Sequence, residues 1–226
     1  MRPHDPSALV RVGVLTLALA VSSGCGSSTA RVRIMNASPG EGAITATIGN
    51  SSIATSLDYG TASSYATVTS GSVALNVQQA SSSNTVLDTT LSLGSNNTYT
   101  ILVANYSTDV SAVTLSDNNS SPASDQFNLR IVQASPGLQA ADIYVVSPGT
   151  ILSSASPTVS DLSFGSASSY LPLAAGTYEV YFTATGQKQA YVDSGPISFS
   201  AGEVRTIVAL NGSAGGYTAA VLSDLN

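Results

Sequence analysis

Catalytic side chains are scarce in this 226-residue sequence. Histidine and cysteine occur once each, as His4 and Cys25, and tryptophan is absent. Beyond residue 25 the chain therefore has no histidine for a Ser-His-Asp triad or a metal site. The only lysine, Lys188, lies between two glutamines at a predicted hairpin tip, where a solvated charge is expected. The sequence predicts a protein that is not an enzyme, with no catalytic residues, metal or cofactor.

Charge is also sparse, since charged residues make up 9% of the chain and the net charge is -6. Removal of residues 1–25 would delete two arginines and one aspartate, which leaves a net charge of -7. An acidic chain without a basic patch is a poor match for nucleic acid, so none is expected as a partner. The hydrophobic content of 43% is sufficient for buried cores.

The N-terminus has the features of an export signal. Arg2 and Arg11 precede an apolar run at 12–21, which is too short to span a bilayer as a helix. Val21-Ser-Ser-Gly-Cys25 resembles the lipobox of bacterial lipoproteins, with Ser22 where leucine is usual. The resemblance implies lipid attachment at Cys25 and an exported protein held at the cell envelope, at the outer membrane or cell surface. A plain secretory signal is the alternative.

The remainder of the chain is repeated. Arg33-Ile-Met-Asn-Ala-Ser-Pro-Gly40 matches Arg130-Ile-Val-Gln-Ala-Ser-Pro-Gly137, and a second pair of matching segments begins at Tyr59 and Phe164. The offset grows from 97 to 105 residues, which predicts an eight-residue insertion near 147–160. The expected organisation is a signal peptide at 1–25, a tether at 26–30, copy one at 31–117, a linker at 118–126 and copy two at 127–226.

Apolar residues within each copy recur at every second position, as in Val73, Leu75 and Val77, and no segment keeps a helical period. About seven short strands are expected in each copy. The predicted fold is all-β, with two tandem immunoglobulin-like β-sandwich domains, and a small barrel is the alternative. Each Ser-Pro-Gly segment is expected to close the first strand as a type II turn, with its glycine, Gly40 or Gly137, at positive φ.

The repeats resemble the family named domain of unknown function 4397, which occurs in exported bacterial proteins. The resemblance rests on the Arg-Ile-x-x-Ala-Ser-Pro-Gly opening, on Asp142-Ile-Tyr-Val145 and on the Gly-x-Ala-Ser-Ser-Tyr segment, and it extends over both copies. In the alignment of the two copies, Ala43 of copy one stands at the position of Asp142 in copy two. The resemblance implies a β-sandwich fold and export. It implies no particular activity, because none is established for the family.

Several residues recur at equivalent positions. Because architecture is duplicated with the fold, these residues are expected to form ion pairs, turn hydrogen bonds or core contacts. Calcium at Asp117-Asn-Asn119 is a weaker alternative. The charged pairs are Arg33 with Arg130, Asp88 with Asp193 and Asp117 with Asp224, and the aromatic pairs are Tyr59 with Phe164 and Tyr65 with Tyr170.

Two functions are open to such a protein. The favoured one is a non-catalytic envelope lipoprotein that presents its sandwiches for adhesion or for contact with protein or matrix. The alternative is a carbohydrate-binding surface lipoprotein, which exposed aromatic residues in a shared groove would favour. Tyr181 falls out of phase with the apolar set around it and is the candidate ligand-binding residue.

Replacement of Cys25 by serine should move the protein from the membrane fraction to the soluble fraction, because lipid attachment needs the thiol. Fractionation followed by immunoblotting measures the change. Ser27→Ala, outside the lipobox, should stay with the membrane. A Cys25→Ser variant that also stays there would contradict the anchor.

Overall fold

The computed structural model describes residues 28–224, so His4 and Cys25 lie outside it. Within this range the chain forms seventeen β-strands and one short 3₁₀ turn at Leu152–Ser154. No helix among the described residues has the length and apolar character needed to cross a membrane. The all-β prediction and the two tandem sandwiches are confirmed.

Copy one contains eight strands, and copy two contains nine. In copy one they are β1 (Thr29–Ala37), β2 (Ile44–Ile48), β3 (Ser51–Leu57), β4 (Ala66–Thr69), β5 (Gly71–Gln79), β6 (Thr85–Leu93), β7 (Thr98–Ala104) and β8 (Ser111–Ser116). In copy two they are β9 (Gln126–Gln133), β10 (Ala141–Val146), β11 (Val159–Leu162), β12 (Leu171–Ala174), β13 (Gly176–Ala184), β14 (Ala190–Asp193), β15 (Ile197–Phe199), β16 (Val204–Asn211) and β17 (Tyr217–Ser223).

Each copy pairs an inner sheet, which faces the other copy, with an outer sheet. The inner sheets have the orders β4-β1-β7-β8 and β12-β9-β16-β17, and the outer sheets are β3-β2-β5-β6 and β11-β10-β13-β14, with β15 also on β13. An immunoglobulin constant-type domain places its first two strands side by side in one sheet. Here β1 lies between β4 and its parallel partner β7, and β2 lies in the other sheet. The architecture is thus the predicted one with a different strand order.

The strand counts exceed seven for two local reasons. Strand β3 was missed because it shows no clear alternation: Ala54 is its only buried residue, and the others are exposed or half-buried. In copy two, Gly195 and Pro196 break the strand that is continuous as β6 in copy one, and the result is β14 and β15. Proline cannot donate a ladder hydrogen bond, which explains the break.

The insertion in copy two is where the offsets place it. Strands β2 and β3 are joined by Gly49 and Asn50 alone, whereas β10 and β11 are joined by residues 147–158. The Ser-Pro-Gly turns differ. Gly40 takes a positive φ of 99°, as expected, but Gly137 does not, and the positive φ falls on Gln139 instead. The turn is closed by the Leu138 amide on the Ser135 carbonyl at 3.2 Å, so the type II prediction is wrong for copy two.

Each sandwich has its own core, and a third core joins the two copies. Alternate side chains of β1, such as Val32 and Ile34, point between the two sheets of copy one, while Met35 and Ala37 point toward copy two. The shared core is completed by the facing strands. Its buried members are Met35, Ala37, Leu102, Ala104 and Leu115 from copy one and Val132, Ala134, Val208, Leu210 and Leu222 from copy two.

Burial on both faces explains the continuous apolar runs in the central strands. Ile101, Leu102 and Val103 of β7 are all fully buried, as are Ile207 and Val208 of β16. Strands covered on both sides read as unbroken apolar segments and not as alternating ones. The two copies are therefore packed as one body through their inner sheets.

The parallel pairs give this body two distinct ends. The two parallel pairs, β1 with β7 and β9 with β16, begin at the same end of the body. We call this end the proximal pole, and Thr29, the first residue of β1, lies there. The two pairs finish at the distal pole, where the Tyr59 hydroxyl donates to the Asn211 carbonyl at 2.7 Å and so joins the copies. β1 alone extends roughly 30 Å at about 3.3 Å per residue. The start of the described chain and the distal pole are thus on opposite ends.

Candidate functional site

The repeated arginines reach across the junction between the copies. Arg33 of β1 donates from Nε to Thr100 Oγ1 of its own copy at 2.8 Å. Its Nη1 donates to the carbonyl of Ser223 at 2.7 Å, and its Nη2 forms an ion pair with Asp224, both in copy two. The guanidinium is thus held by a strand of one sandwich and by the end of the other.

Arg130 makes the same contacts in the opposite direction. Its Nε donates to Thr206 Oγ1 at 3.0 Å, its Nη1 to the Ser116 carbonyl at 3.0 Å, and its Nη2 to Asp117 Oδ1 at 2.7 Å. Nη2 also lies 3.4 Å from Asp224 Oδ2. Both aspartate side chains are fully buried, and both arginines are almost so. The two copies therefore exchange equivalent ion pairs about a pseudo-twofold axis.

The repeated tyrosines complete this buried cluster. Tyr65 Oη donates to Asp117 at 2.6 Å, and Tyr170 Oη donates to Asp224 at 2.7 Å. The guanidinium groups of Arg33 and Arg130 lie 4.7 and 4.8 Å from the centres of these rings. Burial raises the pKa of both tyrosine hydroxyls, and the neighbouring carboxylates raise it further, so both remain protonated donors. Every polar group in the cluster has a structural partner.

The other repeated residues also have structural places. Tyr59 and Phe164 pack against the shared core. Asp88 and Asp193 are exposed and take no part in the buried cluster, although Asp193 accepts the Gly195 amide at 2.8 Å. The carboxylate of Asp117, which the sequence offered as a calcium ligand, accepts hydrogen bonds from Arg130, Tyr65 and Thr100. Both of its oxygens therefore already have protein partners. Among residues 28–224, no three His, Cys, Asp or Glu side chains are grouped to hold a metal.

Tyr181 faces outward from β13, as the sequence predicts, and it is only partly exposed. Its cross-strand neighbours are Tyr144 and Asp193. Its hydroxyl donates to Glu179 Oε2 at 2.6 Å, and this bond raises the pKa of Tyr181 to about 12. Its role in ligand binding stays a prediction.

Lys188 holds the inserted loop of copy two. Its Nζ donates to the Ala155 carbonyl at 2.5 Å and lies 4.7 Å from the centre of the Tyr144 ring. Lys188 itself is exposed, as expected at a hairpin tip, while Tyr144 is fully covered. The loop at 147–158 therefore shields part of the outer sheet that copy one leaves open.

Exposed tyrosines gather at the distal pole, where sequence reasoning did not place a site. Tyr106 is 45% exposed and Tyr191 is 44% exposed, and each lines a groove beside the loop at 136–140. The junction groove, of about 480 Å³, lies between the copies and is lined by Asn105, Tyr106, Pro136, Gln139, Ala140, Ser163 and Phe164. The tyrosine groove, of about 440 Å³, lies in copy two and is lined by Gly137, Leu138, Gln139, Ala140, Asp161, Ala184, Thr185, Tyr191 and Tyr217.

The side chain of Asn211 fixes the wall between these grooves. Its Oδ1 accepts the Ser135 hydroxyl at 2.5 Å and the Gly137 amide at 3.3 Å, and its Nδ2 donates to Tyr106 Oη at 3.1 Å. Tyr217 Oη donates to the Gly137 carbonyl at 3.0 Å, and its ring meets that of Tyr191 edge-on at 5.4 Å. The rings are therefore held in place by the loop they flank.

Asp142 shapes the opposite wall of the tyrosine groove. Its buried carboxylate accepts the Asp161 amide at 2.9 Å and the Gly186 amide at 2.8 Å, which positions Asp161 and Thr185 beside the groove. In the outer sheet of copy two Asp142 pairs with Thr183, and in that of copy one Thr45 pairs with Gln78. These two pairs occupy equivalent positions, so the counterpart of Asp142 is Thr45. The alignment of Asp142 with Ala43 is thus wrong by two residues, and copy one lacks this carboxylate.

The aromatic residues of the tyrosine groove are not repeated. Val86 of copy one and Tyr191 of copy two are equivalent, since each is the extra residue of a β-bulge opposite a central strand of its outer sheet. Val110, beside the end of β7, is equivalent to Tyr217, beside the end of β16. In copy one both positions are valines that pack against its core. A register comparison of the two copies could have revealed this difference, but hydrophobic periodicity alone could not.

Comparison with known proteins agrees with the repeat. The family described as "Domain of unknown function (DUF4397)" matches residues 30–144 and 128–226. The chain belongs to this family. No curated protein matches it.

Among solved structures, a family 26 carbohydrate-binding module of Eubacterium rectale Amy13K, in complex with maltoheptaose, has 12% identity and a TM-score of 0.26. The comparison covers 88% of this chain and 98% of that one. A TM-score this low carries no argument about function.

Replacement of Asp224 by asparagine should lower the free energy of unfolding by about 3–5 kcal/mol, because it leaves Arg33 buried without its counter-charge. Urea denaturation followed by circular dichroism measures the change. The matched control is Asp88→Asn on the exposed face, which should cost less than about 0.5 kcal/mol. Equal effects for the two variants would contradict the structural role given to Asp224.

Proposed function

We propose that this member of the family is a non-catalytic binding protein of the bacterial cell envelope, anchored by lipid at Cys25 and presenting its distal pole for adhesion or matrix contact. The observation that carries the proposal is the concentration of exposed aromatic surface at that pole. Tyr106 from copy one and Tyr191 from copy two are among the large apolar side chains most exposed in the described chain. Exposed apolar groups grouped with polar ones are typical of binding surfaces.

The direction of the chain supports this orientation. Residue 28 is the first described residue, next to the start of β1 at the proximal pole, and Tyr106 follows the end of the parallel strand β7. A lipid on Cys25, a few residues earlier, would hold the proximal pole near the bilayer. The distal pole would then face away from the membrane, where it is accessible to other envelope components.

The chemistry of the grooves supports a role in binding and not in catalysis. Of their lining residues, Asp161 alone carries a titratable carboxylate, so neither groove has the pair of carboxylates that glycosidases use. No histidine or cysteine is available in the sequence beyond Cys25. The shared core and the exchanged ion pairs hold both copies in one orientation, which keeps the two grooves side by side.

The test is co-sedimentation of the full-length protein, in detergent, with the insoluble envelope fraction of the producing bacterium. A Tyr106→Ala/Tyr191→Ala double variant should lose most of the binding, because it removes the exposed rings of both grooves. The matched control is Ile151→Ala, which shortens an exposed apolar side chain in the inserted loop. Binding by the double variant at the level of the unmodified protein, or an equal loss in the control, would contradict the proposal.

A further inference from the structure

We infer that the ligand of the distal pole is a neutral polysaccharide, whose chain crosses the loop at 136–140 from the junction groove to the tyrosine groove. This inference rests on the binding role proposed above and adds the class of ligand. It also selects between the two functions that the sequence leaves open, since exposed aromatic residues in adjoining grooves favour carbohydrate.

The charge of the grooves disfavours anionic ligands. Neither lining contains a lysine or an arginine, and the only carboxylate in either lining is that of Asp161, in the tyrosine groove. Phosphates, sulfates and uronates need cationic or converging amide donors to offset their charge. Tryptophan, tyrosine and arginine dominate protein hot spots, and of these three residue types the grooves contain only tyrosine. An uncharged ligand fits the lining best.

The side chains offer what a sugar ring needs. A pyranose has an apolar face of C–H groups and a rim of hydroxyls that both donate and accept hydrogen bonds. The rings of Tyr106 and Tyr191 supply exposed apolar surface, while Asn105, Gln139 and Thr185 supply neutral donors and acceptors beside them. Aromatic rings and neutral polar groups are thus side by side in each groove.

The tyrosines are also oriented before any ligand binds. Tyr106 Oη accepts the Asn211 amide, and Tyr217 Oη donates to the Gly137 carbonyl. Tyr217 in turn meets Tyr191 edge-on. Rings that are already fixed lose little conformational freedom when a ligand stacks on them. A ligand that stacks on these rings therefore loses less binding free energy to side-chain ordering than one that meets flexible side chains.

The size and continuity of the grooves favour a chain over a single sugar. The two grooves have volumes of about 480 and 440 Å³, and both are lined by Gln139 and Ala140. They are therefore adjoining sites on either side of one loop. A chain that filled both would contact copy one through Tyr106 and copy two through Tyr191, so it would bind the two copies at once.

Native affinity electrophoresis of the full-length protein tests the inference, with gels that contain dextran, soluble starch, galactomannan or xyloglucan as neutral probes and alginate or polygalacturonate as anionic probes. At least one neutral polysaccharide should retard the protein, and the anionic ones should not. Tyr106→Ala and Tyr191→Ala should each weaken that retardation about tenfold, because each removes a stacking surface. The control Ile151→Ala should bind as the unmodified protein does. Tyr191→Phe, which keeps the ring, should bind more tightly than Tyr191→Ala.

Circular dichroism melting of each variant shows whether the fold is kept, and Tyr106→Ala still tests the loss of a stacking ring if Tyr191→Ala fails to fold. Retardation by none of the four neutral polysaccharides, or stronger retardation by an anionic one, would overturn the inference. So would full binding by Tyr106→Ala and Tyr191→Ala. If envelope binding still depends on Tyr106 and Tyr191 in these cases, the binding role stands and the polysaccharide assignment alone fails.

Discussion

Two arginines are buried between the sandwiches of this protein, and each needs a carboxylate from the other copy. Arg33 of copy one forms an ion pair with Asp224 of copy two, and Arg130 of copy two forms one with Asp117 of copy one. A buried charge without a partner costs several kcal/mol, so neither sandwich can keep its arginine charged and covered unless the other is docked in one orientation. The shared core beside these pairs and the junction groove at the distal pole both depend on that docking.

The duplication separates structural residues from candidate binding residues. Arginine, threonine, tyrosine and aspartate of the buried cluster occur in both copies, because a pseudo-twofold junction uses each of them twice. Tyr191 and Tyr217 occur only in copy two, and the equivalent residues of copy one are half-buried valines that pack against its core. Tyr106 belongs to copy one alone, since the residue that follows Asn211 in copy two is Gly212. The distal pole is thus the place where the copies differ in exposed aromatic residues.

Much of the fold could be predicted from local pattern. Alternation revealed most strands, and the change of offset located the inserted loop of copy two. Strand β3 was missed because its burial is too weak to produce alternation, and the positive φ on Gln139 is a property of one turn that the shared Ser-Pro-Gly sequence does not encode. The strand order could not be predicted, because the parallel pairing of β1 with β7 joins residues that are 67 positions apart in the chain.

The site was harder to predict than the fold. Tyr181 was chosen because it falls out of phase on a regular strand, and it does face outward. Tyr191 lies at a bulge, where the two-residue period fails, and Tyr106 lies in a loop, so neither has a phase to interpret. The junction groove exists only because the copies dock, and its residues come from segments that no local pattern connects. Such a site becomes visible once the register of both sandwiches is known.

Differential scanning calorimetry of the full-length protein tests the central claim, that the exchanged ion pairs and shared core make the two copies one structural unit. The account predicts a single unfolding transition with equal calorimetric and van't Hoff enthalpies, because neither sandwich can unfold without exposing the arginine and core of the other. Two separate transitions, or a calorimetric enthalpy about twice the van't Hoff value, would show that the copies unfold independently and would contradict it.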